Sequence, residues 1–137
     1  VLNAFVYQEF EGSLVTGAQI NGDGTGRMDF DLSQIDNDRL RALEVPVNEV
    51  IERGHAVDAV YIDAAAAAAT NGLVRSLSVA PPPTDDGLLR LIDVADLDRQ
   101  ACGGTHLSNT AESPPFKIGK IENKGKRNRR VRFTLGA

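Results

Sequence analysis

The chain contains a single cysteine and two histidines, and the cysteine and one histidine fall within residues 100–106, QACGGTH. Three readings fit Cys102 and His106. Both are good zinc ligands, and Gly103 and Gly104 between them let the backbone fold so that the two side chains meet one ion. Structural zinc takes four ligands and catalytic zinc about three plus a water, so the pair is half a site. Alternatively, Cys102 is a nucleophile with His106 as its base and the glycine amides as oxyanion donors, although no third group to orient the base is evident. The third reading is a buried cysteine in a tight turn. The second histidine, His55, follows a helix end and reads as a surface residue favoured by the helix dipole.

These residues need a scaffold, and the apolar patterning describes one. VLNAFVYQEF reads as a helix with Leu2, Phe5, Val6 and Phe10 on one side. SLVTGAQI reads as a strand, NGDGTG as a glycine-rich turn, and RMDFDLS as a half-buried strand in which Met28, Phe30 and Leu32 alternate with Asp29 and Asp31. A helix follows with Asp36, Asn37 or Asp38 as cap, an apolar stripe of Leu40, Leu43, Val47, Val50 and Ile51, and Gly54 as its end; Pro46 should kink or split it. AVDAVYI is a strand, DAAAAAAT a helix capped by Asp63, and NGLVRSLSVAPPPTDDG an irregular connector stiffened by Pro81, Pro82 and Pro83. LLRLIDV is a strand leading into the QACGGTH region. The chain closes on a hairpin, FKIGKIE and RRVRFTL, with Val131, Phe133 and Leu135 inward and Arg130, Arg132 and Thr134 outward. The expected fold class is α+β, an antiparallel-rich sheet with helices packed on one face, in one domain over residues 1–137.

Charge is uneven along this scaffold. Residues 117–132 carry eight Lys and Arg against Glu122 alone, while the rest of the chain holds seven basic and 18 acidic side chains, for a total of −4. A basic arm on an acidic body suits a polyanionic partner met at one edge. No apolar run is long enough to cross a bilayer, and no signal peptide or tag is visible. One cysteine cannot form an internal disulfide, which suits a reducing compartment; the expected location is cytoplasmic. The chain starts at Val1 rather than Met, so its natural N-terminus is expected to lie further upstream.

DRQACGGTH followed by FKIGKIENKGKRNRRV resembles the second additional domain shared by alanyl- and threonyl-tRNA synthetases, and is most similar to the free-standing alanyl-tRNA editing proteins of the AlaX type. RMDFDLS resembles that family's Arg-x-Asp-Phe strand and VPVNEVIERG its Val-Asn-containing helix, so the matches run in family order from Arg27 to Val131.

The resemblance implies a zinc-associated aminoacyl-tRNA hydrolase that removes serine or glycine from tRNA for alanine. Its partner is the tRNA acceptor end, not DNA or a membrane. The family's metal site is an HxxxH on a helix plus CxxxH. Cys102 and His106 match the second half, and two further histidines are expected before Val1, sharing a helix face with Asn3 and Tyr7. Gly103 and Gly104 would offer amides to the terminal ribose or the carbonyl oxygen. Thr16, with Gln19 as the nearby alternative, falls near the place where related domains hold the residue that tells serine from alanine. Gln100 could reach the same pocket. Lys124, Lys126, Arg127, Arg129 and Arg130 would hold tRNA phosphates. The alternatives are a non-catalytic zinc- and tRNA-binding module, a cysteine-nucleophile hydrolase, and removal of serine from tRNA for threonine.

Overall fold

The computed structural model describes residues 1–70, 72–75 and 83–136. Pro81 and Pro82 of the expected connector lie outside the described residues. The α+β class holds, but the strands form two antiparallel sheets rather than one.

The larger sheet has the order β1-β2-β7-β6, from β1 (Leu14–Ile20), β2 (Thr25–Asp31), β6 (Phe116–Asn123) and β7 (Asn128–Leu135). Period-two alternation decides its faces. Phe30, Val131, Phe133 and Ile118 turn inward and are almost wholly buried, while Arg27, Arg130 and Arg132 turn outward. The register of β1 slips between Val15 and Gly17, which leaves Thr16 in a bulge.

Three helices cover the inner face. α1 (Leu2–Glu9) buries Leu2 and Val6, and Phe10 completes its apolar side just past the end. The expected long helix is split into α2 (Asn37–Ala42) and α3 (Glu44–Arg53) around Leu43. Pro46 is the reason: it lies in the first turn of α3, where no intrahelical N–H is required, whereas a continuous helix would place its ring against the preceding turn. The Asp36 side chain accepts from the Arg39 N–H at 3.1 Å, and Gly54 ends α3 at φ +71. Leu40, Leu43 and Val47 join Phe30, Leu32, Phe116 and Phe133 in one core. Each such side chain stabilises the fold by roughly 1.5–3 kcal/mol on burial.

The smaller sheet has the order β3-β4-β5, from β3 (Val57–Asp63), β4 (Leu88–Val94) and β5 (Asp98–Ala101). α4 (Ala64–Ala68) is capped by Asp63 and sets Ala67 against Leu89 and Leu91 in a satellite core. β5 was not visible as a strand in the sequence. It returns along β4 through a turn in which Asp96 takes φ +61, and it delivers the chain to Cys102.

The two sheets are joined by a short strip. The Ala101 N–H donates to the Leu73 carbonyl at 2.6 Å, and the Val15 N–H donates to the Arg75 carbonyl at 2.7 Å. Thr16 on β1 and Cys102 beyond β5 therefore each follow a residue tied to the same three-residue segment.

Candidate functional site

Cys102 and His106 sit in an open loop immediately after β5. His106 Nε2 and Cys102 Sγ are 3.2 Å apart, and the Gly104 N–H faces the sulfur at 3.5 Å. A Cβ added at Gly104 would lie 3.6 Å from Sγ and 3.9 Å from Nε2, so the glycine keeps the space between the two donors open. Arg90, inside β4, holds the loop. Its Nη1 donates to the Cys102 carbonyl at 2.7 Å and to the Gly104 carbonyl at 3.0 Å. His106 has one edge in solvent, yet partial burial pushes its pKa down from 6.5, helped by the positive charge of Arg90. The shift favours the neutral imidazole, the form that binds metals.

A soft thiolate and an imidazole suit zinc, and a tetrahedral zinc separates sulfur and nitrogen donors by about 3.5 Å. The observed 3.2 Å is a small side-chain movement away. Among the described residues no group of three or more His, Cys, Asp or Glu could hold a metal ion. The pair therefore fits half a zinc site, and His55 is not its complement. The His55 ring Nδ1 lies 2.6 Å from the Ala95 carbonyl, and its N–H donates to Thr110 Oγ1, which fastens the end of α3 to the 3-10 turn Thr110–Glu112.

Beneath the loop lies a polar network that crosses from α1 to β5. Asn3 Nδ2 donates to Gln100 Oε1 at 2.6 Å, and Gln100 Nε2 donates to Asp98 at 3.1 Å. Asp98 is gripped by Arg75 through two hydrogen bonds of 2.9 and 2.7 Å, and the Arg75 guanidinium stacks 4.0 Å over the Tyr7 ring. Gln100 is engaged at both ends, so it braces the loop.

Thr16 presents a different arrangement. Its Oγ1 accepts from Asn128 Nδ2 at 3.1 Å, which leaves its own O–H free to donate. Gln19 lies further along β1, exposed, with Nε2 donating to Asn21 at 2.9 Å. An apolar hollow of about 270 Å³ opens beside His106, with Val1, Met28, Ile51, Leu107 and Phe133 among its walls.

The basic hairpin is less free than its composition suggests. Lys124 pairs with Glu122 at 3.4 Å, Arg127 with Asp31 at 2.9 Å, and Arg130 with Asp29 at 2.9 Å. Arg129 Nη1 donates to the carbonyls of Gly125 and Asn128 and so braces the turn. Lys126 stands exposed at the tip, with no ion pair among the described residues. Sequence reasoning missed Arg90, the Arg75–Asp98 pair and Asn128. An arginine within the apolar run LLRLIDV was the available signal for the first.

The fold and loop define a class. Residues 89–132 match the family model of the threonyl and alanyl tRNA synthetase second additional domain. Curated relatives extend the match to nearly the whole chain. It is 36% identical over 133 residues to an alanyl-tRNA editing protein AlaX-M of Methanosarcina acetivorans, covering 96% of this chain and 53% of that protein. It is 34% identical to the AlaX-M of Methanosarcina mazei, covering 96% and 52%. It is 33% identical over 103 residues to the alanine–tRNA ligase of Korarchaeum cryptofilum, covering 74% of this chain and 11% of that enzyme. The chain is a homologue of the AlaX-M alanyl-tRNA editing proteins and spans about half the length of those it matches.

Proposed function

We propose that this chain is an editing domain that hydrolyses the ester joining serine or glycine to tRNA for alanine, at a zinc centre to which it contributes Cys102 and His106. The observation that carries the reading is the 3.2 Å approach of Cys102 Sγ and His106 Nε2 in a loop latched by Arg90. The homology to AlaX-M alanyl-tRNA editing proteins supports an aminoacyl-tRNA substrate.

The remaining two ligands are proposed to be histidines on polypeptide preceding Val1. Val1 and His106 line the same hollow, which supports this, because a helical turn preceding α1 would emerge there. Zinc bound there would supply Lewis acidity toward a carbonyl oxygen or water. This chain's own residues would do the rest. Cys102 and His106 would hold the ion. Gly104 directs its N–H at the sulfur and keeps the space between the donors clear, and Gly103 offers its amide to the carbonyl oxygen or the ribose. Gln100, fixed by Asn3 and Asp98, positions the loop.

Selection against alanine falls to Thr16. Because Asn128 occupies one acceptor site of Oγ1, the Thr16 hydroxyl can donate to a serine hydroxyl, and alanine would leave that donor unpaired. The exposed hairpin, with Lys126 at its tip and Lys124, Arg127, Arg129 and Arg130 behind it, is proposed to hold acceptor-end phosphates.

The test is deacylation by the protein with its upstream sequence, using serine, glycine and alanine on tRNA for alanine and serine on tRNA for threonine. Rapid release of serine or glycine from tRNA for alanine, with alanine spared, is expected. No turnover with zinc bound and tRNA intact would leave a binding module. The 3.2 Å contact also suits a thiol nucleophile with His106 as base. Cys102→Ser that keeps its zinc and full activity would exclude that second reading.

A further inference from the structure

The outer face of the four-stranded sheet carries a second concavity, of about 390 Å³, away from the Cys102 loop. Its walls include Gln19, Asn21, Thr25, Arg27, Arg132 and Thr134. Arg27 on β2 stands directly opposite Arg132 on β7 in register, and Thr25 stands opposite Thr134. Two arginines face to face across a ladder repel, so each needs a counter-charge. The nearby carboxylates supply only part of it. Asp29 is shared by Arg27 and Arg130, and Glu122 is shared by Arg132 and Lys124. Each carboxylate thus serves two cations, and the face keeps a positive surplus.

Both arginines line the pocket with donors to spare. Arg27 uses Nη1 alone on Asp29, and Arg132 uses Nε and Nη2 on Glu122. Each guanidinium thus keeps N–H groups of its planar fork for another oxygen anion. Thr25 Oγ1 donates to Asp23 and accepts from Asn21, which rigidifies the rim. Exposed Lys117, in register with Thr134, adds a further cation at the same end. We propose that this pocket binds a phosphate group through Arg27 and Arg132, as a second phosphate contact separate from the hairpin tip. The source favoured is an RNA backbone phosphate, which rests on the tRNA reading above; a free polyphosphate offers the same chemistry.

The test titrates the protein with inorganic tripolyphosphate and, separately, with tRNA for alanine, following the arginine Nε–H resonances and RNA affinity at several salt concentrations. Arg27 and Arg132 signals should move with both probes. Losing this one phosphate contact in the Arg27→Gln/Arg132→Gln variant should weaken tRNA binding about tenfold and reduce the salt slope by about one. Thr134→Glu leaves both ion pairs in place and should weaken binding in the same direction, which guards against a folding defect in the double variant. Signals that move with tripolyphosphate alone would keep the phosphate site and assign it to the free anion. Unmoved signals with unchanged affinity and salt slope in both variants would overturn the proposal. Deacylation assayed on the same samples separates the two readings, because phosphate binding without turnover fails only the editing reading.

Discussion

Arg90 and Cys102 hold each other twice: the Arg90 guanidinium donates to the Cys102 carbonyl at 2.7 Å, and the Cys102 N–H points back at the Arg90 carbonyl at 3.4 Å. The first bond is charge-assisted and short, the second long and weak. Lysine could keep the charge, but its shorter side chain ends short of the Nη1 position that meets both the Cys102 and Gly104 carbonyls. Arg90→Lys should therefore lower zinc affinity or deacylation by about 10- to 100-fold, the usual effect of losing a support behind a ligand. Competition against a chromophoric chelator reads the first, and ester hydrolysis the second. Unchanged values would show that the loop holds its shape without the latch.

His106 should titrate below its ordinary 6.5, because partial burial and, secondarily, the charge of Arg90 disfavour the imidazolium. The folded state then binds this proton less readily than the unfolded chain. The group's contribution to stability is present above 6.5 and is lost as pH falls through the lower folded-state value. A pH series of imidazole nitrogen shifts measures it directly. A midpoint above 6.5 would contradict the electrostatic account.

Glu122 is held down to about 2, chiefly by its hydrogen bond from Arg132, with Lys124 assisting. Its carboxylate should stay ionised well below the ordinary 4.5, and its stabilising contribution should fade only as pH drops from 4.5 toward 2. Carboxyl carbon shifts across this range give the midpoint, and Arg132→Gln should return it most of the way to 4.5.

Thr110 is buried, donates from Oγ1 to the Val50 carbonyl at 2.8 Å, and accepts the His55 N–H at 2.7 Å. Thr110→Val matches its shape but strands the His55 N–H and leaves the Val50 carbonyl with the Gly54 N–H alone, so it should cost about 1–3 kcal/mol in urea unfolding. Thr110→Ser, which keeps the hydroxyl, should recover most of the loss.

Gly26 faces the Phe133 ring, and an added Cβ would lie 2.5 Å from the ring and 2.8 Å from the Gln19 carbonyl. The ring can rotate away, but the backbone oxygen cannot. Gly26→Ala should lower stability by about 1–3 kcal/mol, measured as a reduced thermal midpoint.

Local chemistry was legible where one residue decides the outcome. Asp36 and Asp63 cap helices, Gly54 ends one, Pro46 divides another, and the alternation in RRVRFTL assigns the faces of β7. β5 escaped because DRQA is four residues long and lacks an apolar alternation. The division into two sheets escaped because strand patterning does not say which strands pair. In the candidate site, Cys102 and His106 stood out by type and spacing. Arg75 with Asp98, and Thr16 with Asn128, did not, because nothing local to either residue announces a partner so distant in sequence. The hairpin's arginines read as free charge until Asp29, Asp31 and Glu122 were placed beside them.

The strip formed by Leu73, Val74 and Arg75 acts as a gauge block between two halves of a tool. One end seats the strand that carries Thr16, the other the strand that leads to Cys102, and Arg75 is further clamped by Asp98 and Tyr7. The opening between a residue on one sheet and a residue on the other is thus set by backbone spacing in a segment that need touch no substrate.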